Sequence, residues 1–130
     1  MSAPPTRVFV YGTLLAGEEN HHVLERARPI GRACTKPCFR LLDLGPYPAM
    51  LPGGETGVHG EVYEVDKETL EVLDALEDHP QLYRRTAIPL DDGTVAEAYL
   101  LTREPALGEV EIASGDFRSR LEEPDEDGWE

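Results

Sequence analysis

One stretch of this chain has the period of a sizeable helix, and it ends in a carboxylate where none belongs. Leu70, Leu73 and Leu76 recur at three-residue steps, the spacing of one face of an amphipathic helix. Asp66 suits the N-cap, because its side chain can accept from a first-turn amide that has no partner within the helix. Pro80 forbids continuation. On the helical wheel Glu77 falls between Leu70 and Leu73, inside the apolar stripe. Two readings follow. Either the helix frays before Pro80 and Glu77 points to water, or the carboxylate is held there against opposition. Burial, the helix dipole and the neighbours Asp74 and Asp78 would then raise its pKa. A carboxyl group kept in such a place is a candidate general acid/base.

Most of the remaining pattern is strand. Arg7–Tyr11 is β-branched and aromatic and stops at Gly12. Strands are also predicted over Arg32–Thr35, Cys38–Asp43, Val58–Val65, Tyr83–Leu90 and Thr94–Leu101, with a short one over Glu109–Ile112. Asp91-Asp92-Gly93 has hairpin-turn chemistry. A short helix is predicted over Asn20–Ala27, capped by Asn20 and ended by Pro29 and Gly31. Leu44–Gly57 is crowded with Gly and Pro and reads as a long functional loop. The order of elements predicts an α+β protein, a mixed sheet or small β-barrel with flanking short helices. One domain is expected over residues 1–120, followed by an acidic, disordered tail over residues 121–130.

Composition narrows the function classes. A hydrophobic fraction of 40% is enough for a real core. No apolar run approaches the roughly 20 residues that span a bilayer. Met1–Thr6 lacks the apolar centre of a signal peptide, so a cytoplasmic protein is expected. The net charge of −14 is uneven: residues 1–60 carry 6 basic and 5 acidic groups, residues 61–130 carry 6 and 21. Nucleic acid and anionic membranes are therefore not expected partners. A cationic small molecule fits, as does plain solubility.

Several chemistries lack their motifs. Gly53–Gly60 is glycine-rich but has no Gly-Lys-Ser/Thr ending and opens no helix, so it is neither a P-loop nor a dinucleotide fingerprint. There is no nucleophile elbow. Cys34 and Cys38 make no disulfide framework, and they reach a common metal only with His21, His22 or His59. Neither metal nor cofactor is expected. The strand–loop Val8-Phe9-Val10-Tyr11-Gly12-Thr13-Leu14 carries more. Gly12 lets the backbone turn close to a ligand, and successive amides at such a turn form an anion cradle. A plain tight turn would read the same way.

The combination of motifs resembles the γ-glutamylcyclotransferase-like family. Val8–Leu14 with Gly17 and Asn20-His21 is similar to its N-terminal signature. Pro46-Tyr47-Pro48-Ala49, Val58-x-Gly60-Glu61-Val62-Tyr63, Leu73-Asp74-Ala75-Leu76-Glu77-x-x-Pro80-x-x-Tyr83-x-Arg85 and Gly115-Asp116-Phe117-Arg118 follow in the family's order. The resemblance covers roughly residues 7–120 and is nearest to the short form that includes γ-glutamylamine cyclotransferase. It implies a small barrel and a cofactor-free enzyme that cyclises a γ-glutamyl amide to 5-oxoproline and a free amine. Glu77 would be the acid/base. Backbone amides of Tyr11, Gly12, Thr13 and Leu14 would hold the substrate α-carboxylate or the developing oxyanion. Tyr47, with Pro48, would wall the pocket. Tyr83 would hydrogen-bond into it, unless it is a half-buried strand aromatic. Arg85 would pair with an acid on the substrate or in the fold, and His79 reads as exposed. The acidic second half suggests a cationic leaving amine such as a polyamine. The alternatives are a non-catalytic small-molecule binding module on the same fold, with Glu77 gripping an amine, and an interaction domain that uses the acidic tail.

Overall fold

A computed structural model describes residues 5–45, 47–103 and 109–118. The predicted tail lies outside them. Eight strands make one mixed sheet: β1 Thr6–Val10, β2 Arg28–Cys34, β3 Phe39–Asp43, β4 Pro48–Pro52, β5 His59–Val65, β6 Tyr83–Pro89, β7 Val95–Leu101 and β8 Val110–Glu111. The order is β2-β5-β1-β7-β4-β3-β8, with β6 added on β7. The helix α1 runs Lys67–Leu76, and a single 3-10 turn spans His21–Leu24. This is the expected α+β class, a curled mixed sheet forming a half-barrel with one α-helix. No helix among the described residues is long and apolar enough to cross a membrane.

Strand β7 joins the two halves of the sheet. One of its edges takes β6 over the whole hairpin, from Tyr83 opposite Leu101 to Pro89 opposite Val95. The other edge is shared by two parallel strands: β1 meets it at Val8–Glu97, and β4 takes over at Met50–Leu100. Tyr11, one residue past β1, fills the fork. Its buried hydroxyl donates to the Tyr99 carbonyl (2.5 Å) and accepts from the Met50 N–H (3.2 Å). Two backbone groups that the fork leaves without ladder partners are satisfied this way.

Strands near the fork are buried on both faces. Val8, Val10, Ala49, Leu51, Tyr99 and Leu101 pack with Leu73 of α1. The alternate residues Phe9, Tyr11, Met50, Ala98 and Leu100 pack with Phe39, Ile88 and Phe117 on the other face. The period of two sends these alternate strand residues to opposite clusters.

Several expectations need correction. Leu44–Gly57 is not a continuous loop, because Pro48–Pro52 forms β4 and pairs with β3 along its length. Its Ala49-Met50-Leu51 centre is buried on both sides, so it has no polar alternation, and its prolines stand at the two ends, where missing donors do least harm. Asn20–Ala27 is only the short 3-10 turn. Asn20 makes no side-chain cap there and donates its Nδ2–H to Thr13 Oγ1 instead (2.9 Å). Pro29 and Gly31 lie within β2, where an irregular register absorbs them. The helix stripe is narrower than its period suggests: Leu73 is fully buried, while Leu76 is 41% exposed.

Candidate active site

The chain after α1 reverses sharply. Asp66 Oδ1 caps the N-terminus by accepting from Thr69 N–H (2.8 Å). At the other end Glu77 is the C-cap residue, its amide still donating to the Leu73 carbonyl (2.9 Å). Asp78 follows at φ 54, a left-handed conformation that Asp tolerates better than most residues. Leu82 N–H returns to the Asp78 carbonyl (3.0 Å), and β6 starts at Tyr83. The turn directs residues 76, 77, 82 and 83 into one cavity.

That cavity, of about 280 Å³, is lined by Tyr11, Gly12, Thr13, Leu14, Tyr47, Glu77 and Tyr83, which are all the site residues expected from sequence. Pro48 lines it beside Tyr47, also as expected, and the structure adds Phe9, Val10, Tyr99, Leu76, Leu82, Glu19 and Asn20 to the lining. Tyr99 gave no signal, because it sits in the unbroken apolar run of β7. Leu76 and Leu82 read only as helix stripe and strand approach.

Glu77 is half-buried, and among the described residues no donor reaches its carboxylate. Burial alone pushes its pKa up, to about 7. The expected contributions of Asp74 and Asp78 are absent for a structural reason. Asp74 is engaged on the side facing β6 and β7, where it accepts from Arg85 Nη1 (3.0 Å) and the Tyr99 hydroxyl (2.7 Å). Three tyrosines feel the Glu77 charge, yet each donates elsewhere: Tyr11 to the Tyr99 carbonyl, Tyr83 to the Pro48 carbonyl (3.1 Å), and Tyr99 to Asp74. Burial first, and then charges including that of Glu77, push all three phenols well above their usual range. They remain neutral donors. Arg85 pairs inside the fold, with Asp74 and with Glu97 (2.8 Å). His79 is half-buried rather than exposed, accepting from the Arg85 amide at Nδ1 (3.0 Å).

The loop after β1 has the opposite character. The carbonyls of Gly12, Thr13 and Leu14 are all taken, by Leu15 N–H (3.0 Å), Asn20 N–H (2.9 Å) and His21 Nδ1 (2.9 Å). A carbonyl only accepts, so His21 carries its proton on Nδ1. The amides of the same three residues have no acceptor among the described residues. Gly12 is required here: a Cβ would stand 2.6 Å from the Pro48 ring. Farther along, Ala16 is held at both polar atoms. Its N–H donates to Glu61 Oε1 (3.0 Å) and its carbonyl accepts from Arg118 Nη2. Arg118 also pairs with Glu61 (3.6 Å) and Glu18 (3.5 Å). Among the described residues no group of three or more His, Cys, Asp or Glu could hold a metal ion.

A cavity of this kind, with donors lacking acceptors and a carboxylate lacking donors, marks the protein as a small-molecule site on a curled mixed sheet. Residues 8–119 match the family described as gamma-glutamyl cyclotransferase, AIG2-like. The chain belongs to that family. A Vibrio cholerae protein named provisionally as a gamma-glutamylcyclotransferase is 46% identical over 114 residues, covering 88% of this chain and 96% of its own. The mouse protein named gamma-glutamylaminecyclotransferase is 43% identical over 90 residues, covering 62% of this chain and 60% of its own. Among solved structures, that of an uncharacterized Pyrococcus horikoshii protein superposes with a TM-score of 0.75 at 31% identity, covering 95% of this chain and 99% of that one.

Proposed function

We propose that the protein is a cyclotransferase that converts a γ-glutamyl amide into 5-oxoproline and a free amine, with Glu77 as general acid/base. One observation carries the reading. In a single cavity, and among the described residues, the three consecutive amides of Gly12, Thr13 and Leu14 lack acceptors while a half-buried carboxylate lacks donors. A γ-glutamyl group supplies both complements: an anionic α-carboxylate, or a developing oxyanion, for the amides, and an α-ammonium for Glu77.

The chemistry balances without water or cofactor. Glu77, poised near pH 7 by burial, takes a proton from the α-ammonium. The freed amine attacks the γ-carbonyl carbon, Glu77 protonates the departing nitrogen as its bond to that carbon breaks, and the second proton, shed by the attacking nitrogen as it becomes the lactam N–H, passes through Glu77 to the released amine, which leaves as an ammonium ion. A pKa near the working pH suits one group to both transfers. Proton transfer of this kind is worth about 10²- to 10⁴-fold. Fixing the five-membered-ring geometry can add up to about 7–11 kcal/mol in favourable cases. The shape of the Tyr11, Tyr83 and Tyr99 walls supports such a fixed geometry, because all three hydroxyls are tied to the fold.

Among the described residues, the charged ones lining the cavity are Glu19 and Glu77, both acidic. This supports a leaving amine that carries positive charge in preference to one that carries a carboxylate. The direct test is 5-oxoproline release from a panel of γ-glutamyl amides and dipeptides. Release by the native protein and none by Glu77→Gln is the expected result. Wild-type turnover by Glu77→Gln would remove Glu77 from the mechanism, and tight binding of γ-glutamyl amides without any release would favour the binding-module alternative.

A further inference from the structure

A second recess, of about 280 Å³, shares no lining residue with the Glu77 cavity. Strand pairing decides which side chains meet there. Arg32 of β2 stands opposite Glu61 of β5 in the antiparallel ladder. His59 is the next residue but one to Glu61 on the same strand, so the three side chains share one face of the sheet. The His59 N–H donates to the Gly115 carbonyl (2.8 Å), and the segment so attached adds Asp116 and Arg118 to the lining.

The lining is mixed in sign, but its acids are engaged and two of its donors are not. Glu61 Oε1 accepts from the Ala16 N–H (3.0 Å) and the Tyr63 hydroxyl (2.9 Å), and Oε2 pairs with Arg118 (3.6 Å). Asp116 Oδ1 accepts from the Arg118 backbone N–H (3.1 Å). Among the described residues neither the Arg32 guanidinium nor the His59 ring meets an acceptor. Acids outnumber bases 26 to 12 in this chain, so an arginine facing a recess with no acid of its own leaves that place to a ligand. Arg32, His59 and Arg118 together suit an oxyanion with several acceptor oxygens.

The recess reaches the other cavity through one residue. Arg118 Nη2 donates to the Ala16 carbonyl, and its pairs with Glu61 (3.6 Å) and Glu18 (3.5 Å) are longer than the about 2.7–2.9 Å of a charge-assisted hydrogen bond. An oxyanion beside Arg118 competes with those pairs. Ala16 lies just past Gly12–Leu14, whose amides line the Glu77 cavity.

We propose that this recess is a second site, which binds a small polyvalent oxyanion between Arg32, His59 and Arg118, and that its occupancy draws Arg118 off Ala16 and slows turnover in the Glu77 cavity. The binding half stands by itself, and the coupling half rests on the cyclotransferase reading above.

The first test is calorimetric titration of the full chain with inorganic phosphate, sulfate and citrate at constant ionic strength. One equivalent should bind, and Arg32→Gln and His59→Gln should each weaken Kd about tenfold. Both side chains are exposed, so the variants should keep the native circular dichroism. Either order of phosphate and citrate supports the site and tells a phosphate ligand from a carboxylate one. No binding of any of the three, or equal affinity in the native chain and both variants, overturns the site. The second test follows 5-oxoproline release against phosphate. The native rate should fall to a plateau, about tenfold or less below the phosphate-free rate, because Asn20 and His21 still hold the loop. Arg32→Gln should need about tenfold more phosphate for the same fall. A rate indifferent to saturating phosphate overturns the coupling. So does inhibition without a plateau that is unchanged in Arg32→Gln, since it places the anion on the Gly12–Leu14 amides. If no γ-glutamyl amide yields 5-oxoproline, the cyclotransferase reading falls, and NMR decides the coupling. The amide resonances of Thr13 and Leu14 should then move with phosphate in the native chain and not in Arg32→Gln at the same concentration; unmoved resonances overturn it.

Discussion

The two polar walls of the cavity are built on opposite plans. On the wall after β1, every carbonyl from Gly12 to Leu14 is engaged and, among the described residues, every amide is open. On the wall after α1, the carboxylate of Glu77 is open, and the hydroxyls of Tyr11, Tyr83 and Tyr99 are engaged with other acceptors. Either group alone would be a liability, because an unsatisfied buried donor or acceptor costs about 1–3 kcal/mol. Together they would suit one molecule with a negative end and a positive one, as the proposed γ-glutamyl substrate has. The difference also separates two ways of holding a polar group. The donor wall is held by backbone and side-chain hydrogen bonds running along the loop. The acceptor wall is held by apolar burial, and its chemistry is tuned by the absence of partners.

The largest effect should come from the acceptor wall. Glu77→Gln keeps the size of the side chain and removes its ability to take a proton, so kcat should fall by about 10²- to 10⁴-fold. The fold should persist, checked by circular dichroism. In the native protein kcat/KM should rise through pH of about 7 as Glu77 ionises. An activity limb near the ordinary carboxylate value of 4.5 would show that burial does not raise the Glu77 pKa.

Stability should report the same group with the opposite sense. Between the ordinary value of 4.5 and about 7, the folded protein holds a proton at Glu77 that the unfolded chain has released. The unfolded state then binds fewer protons, so stability falls as pH rises through this window, and the loss is complete above about 7. A shift of this size corresponds to a penalty on the order of 3 kcal/mol. Glu77→Gln lacks the titration. Its Tm at about pH 8, relative to about pH 5, should therefore exceed that of the native protein by the equivalent amount.

The fork between β1 and β4 supports both walls, and Tyr11→Phe probes it. The hydroxyl removed there satisfies the Met50 amide and the Tyr99 carbonyl. Its loss should cost about 1–3 kcal/mol of stability, read by urea unfolding. A change below about 0.5 kcal/mol would mean that the fork closes on itself without the tyrosine.

How much of this was legible in the sequence differs between the walls. Asp66, the Leu73 stripe and Pro80 fixed the helix and its end, and the period placed Glu77 on the inward face. The direction of its pKa shift was legible too, but the cause was not. Asp74 looked like a repulsive neighbour until Arg85 and Tyr99, 11 and 25 residues away, were seen to engage it. Local spacing carries no information about such pairings. Strand β4 was missed for a related reason: Pro-Ala-Met-Leu-Pro looks like loop by composition, and only its neighbours β3 and β7 make it a strand. Tyr99, Leu76 and Leu82 were invisible because apolar residues in strands and helix stripes look alike whether they face a core or a cavity. The donor wall was recognisable as a motif in Val8–Leu14. Its open amides became visible only when the donors to its carbonyls, Asn20 and His21, were in place.

The smallest expected effect is also the one that divides the two possible duties of the donor wall. Arg118 touches no cavity group. It holds the Ala16 carbonyl and pairs with Glu61, which holds the Ala16 amide and the Tyr63 hydroxyl (2.9 Å). Arg118→Gln should loosen the loop at Ala16, while Asn20 and His21 still fix it at Thr13 and Leu14. The loss should therefore be partial, about tenfold or less in kcat/KM. Arg118→Lys should recover part of it, since an ammonium keeps the charge but lacks the guanidinium fork. The partition of that loss is the informative quantity. If the amides of Gly12 to Leu14 hold the α-carboxylate, present equally in ground state and transition state, KM should rise and kcat should hold. If they hold the oxyanion, which exists only during the reaction, kcat should fall with KM little changed. An unchanged kcat/KM for Arg118→Gln would show that the donor wall is set by its own turn and needs no support from the far end of the chain.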